Sequence, residues 1–278
     1  MAPARWHLAI AAVLLAACAS APASRVADAV ATPTAAATAA NRLSPDEAAA
    51  LTQLAASSGP IDPTVNVHEH PTVTLVSTLS PDEQAVFDQQ IKAAVDAAKE
   101  FPTTEAAAAA GYVQSSTQLP GIGTHWVKWS LIDKPFDPAQ PAMLLFDQSA
   151  LHPPRLAGFS YWVRSAAAPE GFVGPNDVWH RHSGLCFQNG FLMREDVPAA
   201  DQCDGEWLNG SDLWMLHAWV APNVPNSAGV FAAINQGLCP PDRQPIPDML
   251  KCGGDAGSHN DTAIVSPAGD VYCHLPAT

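Results

Sequence analysis

Trp179-His180-Arg181-His182 carries the sharpest chemical signal in this chain. In an extended strand, residues i and i+2 project to the same face. His180 and His182 would therefore aim two imidazoles at one point, as paired ligands do in many zinc and copper sites. A neutral imidazole suits zinc, copper, iron and nickel. Two more histidines lie in apolar stretches of strand character: His125 in Gly123-Thr124-His125-Trp126, and His217 in Leu216-His217-Ala218-Trp219. If those strands neighbour the first, three or four imidazoles meet. Three ligands and an open position make a catalytic metal centre, and four close a structural one. The expected ligand set is His125, His180, His182 and His217, with one divalent metal, zinc or copper, as cofactor. The competing reading is a set of half-buried histidines hydrogen-bonded within a core, since His-x-His arises often by chance.

The neighbours of this set divide into expected walls and expected bystanders. Arg181 should point away from the pair in a regular strand and serve the surface or a salt bridge. Trp126, Trp179, Trp214 and Trp219 read as core residues rather than cation-binding walls. Asp177 and Glu170 precede the pair and could orient an imidazole from behind. His68-Glu69-His70 is a second pair, but Pro71 follows it in a linker, so it carries no expected site. His152, His259 and His274 lie in loop or tail and are assigned nothing. There is no G-x-S-x-G elbow, no H-E-x-x-H and no P-loop. Gly121-Ile122-Gly123 lacks the third glycine of a dinucleotide fingerprint.

The elements that must hold these residues follow from spacing and caps. Ser44-Pro45-Asp46-Glu47 opens a helix running to about Ser57, with Ser44 as cap, Pro45 in the first helical position and Glu47 completing a capping box. The same signature recurs at Ser80-Pro81-Asp82-Glu83. That second helix places Val86, Ile91, Val95 and Ala98 near one face and ends before Pro102. A short third helix starts at Thr103-Thr104-Glu105 and ends at Gly111. From Tyr112 the helical spacing gives way to aromatic and β-branched runs. The expected strands are Gly123–Trp129, Met143–Asp147, Leu156–Arg164, Val178–Phe187 and Leu213–Val220. The fold class is α+β: N-terminal helices followed by an antiparallel sheet or partly closed barrel, stapled by disulfides.

The amino terminus states a destination. Arg5 precedes a ten-residue apolar run, Leu8–Ala17, too short for a membrane-spanning helix of about 20 residues and suited to a signal-peptide core. Leu15-Ala16-Ala17-Cys18 resembles the lipobox of bacterial lipoproteins. That resemblance implies diacylation of Cys18, cleavage before it and acylation of the new amino terminus. Two or three acyl chains give stable anchoring. Ala19, rather than Asp, follows the cysteine, which favours the outer membrane, facing the periplasm or displayed at the cell surface. Ordinary cleavage after Ala21 would leave Pro22 first, a poor substrate for the peptidase. The expected organisation is a signal at 1–17, a disordered tether at 18–43, a helical segment at 44–111, a β-rich core at 112–235 and a cysteine-bearing tail at 236–278.

Composition fits an exported protein. Only 14 % of residues are charged, against roughly 25 % in an average chain. The net charge of −14 repels nucleic acid and anionic headgroups, so neither is an expected partner; the membrane is met through the lipid alone. Five cysteines follow Cys18, and an oxidising compartment favours disulfides. Cys186 and Cys203 flank the Asn189-Gly190 turn signal and form the first expected bridge. Cys239, Cys252 and Cys273 supply one more, with Cys239–Cys252 preferred, and leave an odd thiol. No C-x-x-C is present, so no thioredoxin-like or haem-attachment site is indicated.

Three stretches together resemble a family of uncharacterised bacterial secreted proteins. They are Gly123-Thr124-His125-Trp126-Val127, the run Phe136-Asp137-Pro138-Ala139-Gln140-Pro141-Ala142-Met143-Leu144-Leu145-Phe146, and Leu156-Ala157-Gly158-Phe159-Ser160-Tyr161. The family pattern reads approximately G-x-H-Y-V, D-P-x-x-P-x-x-L-L-Y, L-x-G-x-x-Y, then L-H-x-W, the last matched by Leu216-His217-Ala218-Trp219. Gly229-Val230-Phe231 and Asn235 approximate a later glycine-aromatic stretch, with Gln236 where the family has proline. The resemblance spans about 105–239 and implies a shared domain with His125 and His217 in its pattern; it implies no activity. Three functional expectations follow from the whole reading: a lipoprotein with a histidine-built metal site, a metal-free periplasmic binding or interaction module, or a zinc-dependent hydrolase or lyase. The last rests on layout alone, since paired histidines on one strand with a third on a neighbour are also the ligand arrangement of α-type carbonic anhydrases.

Overall fold

The computed structural model describes residues 42–61, 79–119, 121–149, 153–175, 177, 179–226, 229–232 and 234–238. Cys18, His68, His70, His152, Cys239, Cys252, Cys273, the signal, most of the tether and most of the tail lie outside the described residues.

Three helices come first. Helix α1, Pro45–Ala56, starts where the Ser44 hydroxyl accepts the Glu47 amide, with proline in the first turn. Glu47 does not complete a capping box as its spacing promised. Its carboxylate, 5 % exposed, instead accepts the amide and hydroxyl of Ser130. A long-range partner thus takes the side chain that the local motif would have used. Helix α2, Pro81–Ala98, does form the full box between Ser80 and Glu83. Its inward face holds Phe87, Ile91, Ala94, Val95 and Ala98, whereas Val86 is 46 % exposed. Helix α3, Thr104–Ala109, is capped by Thr103 and ends at Gly111, whose φ of +91° suits glycine.

The strands form two open antiparallel sheets rather than one. The larger has six strands in the order β1-β2-β3-β4-β9-β5: β1 Val113–Gln114, β2 Thr124–Val127, β3 Met143–Asp147, β4 Arg155–Arg164, β9 Leu213–Ala218 and β5 His180–Arg181. The smaller has the order β7-β6-β8: β6 Gly184–Gln188, β7 Phe191–Arg194 and β8 Glu206–Asn209. The run from Val178 to Phe187, expected as one strand, is broken after Arg181, and its two halves join different sheets. Gly210 explains the break. A Cβ there would lie 2.1 Å from the Ser183 carbonyl oxygen and 2.8 Å from that of His182, so only glycine lets the chain cross so close. Strands β1, β7 and β8 carried no usable signal. They are short, and β7 is largely exposed.

The larger sheet is covered on both faces. One face bears Trp126, Leu144, Phe146, Phe159 and Tyr161, and packs on α2, α3, Phe172 and Phe231. The other bears Val127, Met143, Trp162 and Met215, and packs on Leu51 and Leu54 of α1 and on Leu185, Phe187 and Leu208 of the smaller sheet. Strand β6 alternates accordingly: Leu185 and Phe187 face inward, and Cys186 faces Val197 and Trp207 on the far side. There Cys186 is bonded to Cys203, the expected disulfide. Such a bond fits an oxidising compartment. Among the described residues no helix is long and apolar enough to cross a membrane.

Candidate functional site

Register assembles the histidines before any side chain is considered. Met143 pairs with Ser160, Ser160 with His217, and Trp162 with Met215; His125 pairs with Leu145, and His180 with Met215. Directly paired residues share a face, as do residues two apart on one strand. His125, Ser160, Trp162, His217 and His180 therefore all project from the face that meets the smaller sheet.

Side-chain reach then draws the rings together. Strands β2 and β9 are three steps apart in the sheet, yet the His125 and His217 ring centroids are 6.1 Å apart. The rings form a continuous file: His125 to His217 at 6.1 Å, His217 to His180 at 5.2 Å, and His180 to His182 at 5.2 Å. His217, His180 and His182 are buried, at 3 %, 2 % and 5 % exposure. His182 lies just past β5, at the crossover between sheets, yet its ring stays beside that of His180. All four expected ligands are thus brought into one neighbourhood.

The spacing has two physical readings. Two imidazoles on one tetrahedral zinc ion, bonded at about 2.0–2.1 Å, place their ring centroids roughly 5 Å apart. Edge-to-face aromatic packing also falls at about 4.5–7 Å. Among the described residues, no group of three or more His, Cys, Asp and Glu side chains is already placed to hold a metal ion. The file supplies adjacent pairs that share His180, and a third donor would join by rotating toward the same point.

The environment keeps the His125 ring in its ligating form. Burial, and next the neighbouring His217, push His125 down to about 3, so it is neutral at physiological pH. Ser116 holds the ring: its Oγ accepts the His125 amide at 2.8 Å and lies 3.2 Å from His125 Nδ1.

Beside the file is a cavity of about 50 Å³ lined by His125, His182, His217, Glu195, Trp162 and Met215, among others. A water needs about 10–15 Å³ of such volume, so the space admits a few atoms and no larger metabolite. Burial, and next the charge of Asp196, raise Glu195 to about 7. Sequence reasoning missed Glu195, which follows an unremarkable arginine in a loop. It also missed Ser160, although a lone hydroxyl in the apolar run of β4 was a usable signal.

The remaining expectations sort by geometry. Arg181 does point away: it lies over the Trp214 ring at 4.3 Å and donates to the Ser211 carbonyl. Trp126, Trp179 and Trp219 are core residues, but Trp214 is half-buried and is the wall on which Arg181 rests. The Asp177 carboxylate accepts the Trp179 indole N–H at 2.9 Å, and burial raises it to about 6. It braces the loop into β5. Glu170 is exposed. Gln90 of α2 clamps the same loop through the Gly171 carbonyl and the Val173 amide. Comparison with protein-family models, with curated proteins and with solved structures finds no match to this chain.

The two shifted groups predict a pH signature for the metal-free protein. Unfolded His125 takes a proton near pH 6.5, which the folded state refuses until about pH 3. Its contribution is present above 6.5 and is lost as pH falls toward 3. Glu195 runs the other way: its contribution is present below about 4.5 and is lost as pH rises through about 7. Between pH 7 and pH 5 the His125 loss and the Glu195 gain nearly cancel, and buried Asp177, raised to about 6, adds a gain as pH falls. The melting temperature, read by calorimetry in chelator, should therefore hold or rise from pH 7 to pH 5. His125→Gln should make that rise steeper, and Glu195→Gln should turn it into a fall.

Proposed function

We propose that this chain is an exported lipoprotein, anchored through Cys18 in the outer membrane and facing the periplasm or the cell surface, whose sheet domain binds one divalent metal, zinc or copper. The binding residues are His180, His182 and His217, with His125 at the end of the file. The observation that carries this reading is the file of four neighbouring imidazoles, three of them buried, drawn from β2, β5, the β5–β6 crossover and β9. The neutral state of His125 and its Ser116 brace support it, since a ligand must offer a lone pair. As part of the same reading we place the chain beside the secreted family whose pattern includes His125 and His217.

A second reading, a metal-free binding or interaction module, is favoured by the lack of a ready three-ligand group among the described residues. Metal content separates the two. The tag-free protein, purified without chelator, should contain close to one equivalent of zinc or copper by elemental mass spectrometry. Stripped protein should regain it with submicromolar affinity, and its melting temperature should rise with added metal, because the ion binds only the folded state. Protein that emerges empty, and shows no thermal shift at micromolar zinc or copper, overturns the metal reading and leaves the interaction module.

A further inference from the structure

The cavity of about 50 Å³ lies between the two sheets, with a buried floor and an open side. Val127, Met143, Leu185, Phe187 and Met215 form the floor and are buried, whereas His125, Leu192 and Glu195 at the open side are half-buried. The floor is apolar, yet one wall carries an unmet donor. The Ser160 hydroxyl and the Trp162 indole N–H are both buried and have no hydrogen-bond partner among the described residues; Ser160 does not line the cavity and Trp162 does. Native folds leave few buried donors unpaired, because each keeps its desolvation penalty. Trp162 is also held in place, packed against Trp129 and Phe187 at centroid distances of 6.3 and 6.4 Å.

We infer that this cavity binds a small neutral carbonyl compound, a ketone or aldehyde of about four heavy atoms, whose oxygen accepts hydrogen bonds from Trp162 and Glu195 and whose alkyl part lies on the apolar floor. The inference needs no metal ion and stands apart from the metal reading. Size, polarity and charge select this ligand. A water needs about 10–15 Å³ of such volume and two to four polar partners, so the space holds about three to five water-sized groups, and an aliphatic and aromatic floor suits carbon better than water. An indole N–H can only donate. Glu195, raised to about 7 by burial and by Asp196, holds its proton on the acid side of neutrality and donates as well. A carbonyl oxygen has two lone pairs and can accept from both. In a cavity this small a ligand that fills it touches every wall, so Trp162 and Glu195 both come within its reach. Among the described residues no lysine or arginine lines the cavity, so an anion meets no counter-charge there; the protonated carboxyl of Glu195 and the neutral ring of His125 offer a cation none either.

The test uses the whole mature chain, kept metal-free with chelator at pH 6, labelled with 13C at the methionine methyls and titrated with propanone. Met143 and Met215 line the cavity, and Met193, 53 % exposed and outside it, is the control. The expected result is a saturable shift of the Met143 and Met215 methyl signals with millimolar affinity, since four heavy atoms bind no tighter than roughly tens of micromolar, and a still Met193 signal. Acetate, of the same size but charged, should bind at least about tenfold more weakly, for want of a counter-charge. Trp162→Phe, which keeps a ring and removes the donor, should weaken propanone binding by about three- to tenfold, the loss of one hydrogen bond. Glu195→Leu at the half-buried mouth should do the same, and Glu195→Gln, whose amide still donates, should stay within about twofold of the parent. No saturable shift at 13C-Met143 and Met215, or one matched by Met193, overturns the inference. So does affinity indifferent to both Trp162→Phe and Glu195→Leu, or acetate binding as tightly as propanone.

Discussion

Replacing His180 by alanine should reduce zinc or copper affinity by more than about 100-fold, beyond the 10–100-fold typical of losing an outer-shell partner. His125→Ala should cost least of the four. The order follows from position in the file. His180 has a ring neighbour at 5.2 Å on each side, His182 and His217, so every adjacent pair that fits one tetrahedral ion includes it. His125 is reached only through His217, at 6.1 Å. His182→Ala and His217→Ala should fall between, each leaving one intact pair. Competition with a chromophoric chelator measures all four on one scale. His180→Gln, which restores bulk and polarity without an imidazole, separates lost ligation from a collapsed pocket: it should fold with a near-native melting temperature and still fail to bind. Equal affinity for His180→Ala and the parent protein would show that the ion does not sit at His180. A greater loss for His125→Ala than for His180→Ala would place it at the other end of the file.

Removing the Cys186–Cys203 bridge should cost about 3 kcal/mol of stability, the chain-entropy value for a loop of about 15 residues. For a domain of this size that corresponds to a drop of roughly 6–12 °C in melting temperature. The bridge joins two residues 17 apart in sequence and closes the segment that carries β7 and Glu195. Its sulfur is also packed: Cys186 is 4 % exposed and shares a small cluster with Val197 and Trp207. Cys186→Ala with Cys203→Ala, compared with the parent by guanidinium unfolding, measures the effect, and reduction of the parent should reproduce most of it. The double variant should keep metal affinity within about tenfold, since His182 precedes β6 and is held by the Gly210 crossover, not by the bridge. A loss of metal binding as large as that of His180→Ala would mean that the bridge, not the crossover, sets the site.

Much of the helical half was legible because its signals are local. A serine, a proline and two acidic residues in one turn specify where α1 and α2 begin, and nothing distant competes with the cap itself. The exceptions mark where distance intrudes. Glu47 leaves its box for Ser130, 83 residues away in sequence. Val86 and Phe87 are adjacent apolar residues, and only the position of Phe172 and Phe231 decides that Phe87 turns inward. The long strands β3, β4 and β9 were legible from their unbroken apolar runs. The two-residue strand β1 was not, because two residues contain no period, and β5 was legible only as part of a longer run whose break after Arg181 had no local signal.

The candidate site divides along the same line. The residue types, the i, i+2 pair at His180 and His182, the apolar settings of His125 and His217, and the cysteines flanking Asn189-Gly190 are all properties of the chain read in order. They determined which side chains could ligate and which thiols could meet. That the four imidazoles line up ring to ring was decided only by tertiary structure. It depends on strand order, which sets β5 beside β9, and on a shared register that puts His125, His217 and His180 on one face. It depends also on side chains that reach across three strands to bring the His125 and His217 rings to 6.1 Å. None of these has a local cause: pairing partners and register come from the packing of two faces against different layers, and no short window of sequence contains both. The unpaired Ser160 and Trp162 donors and the shifted Glu195 belong to the same class, because burial is a property of what surrounds a residue and not of the residue itself.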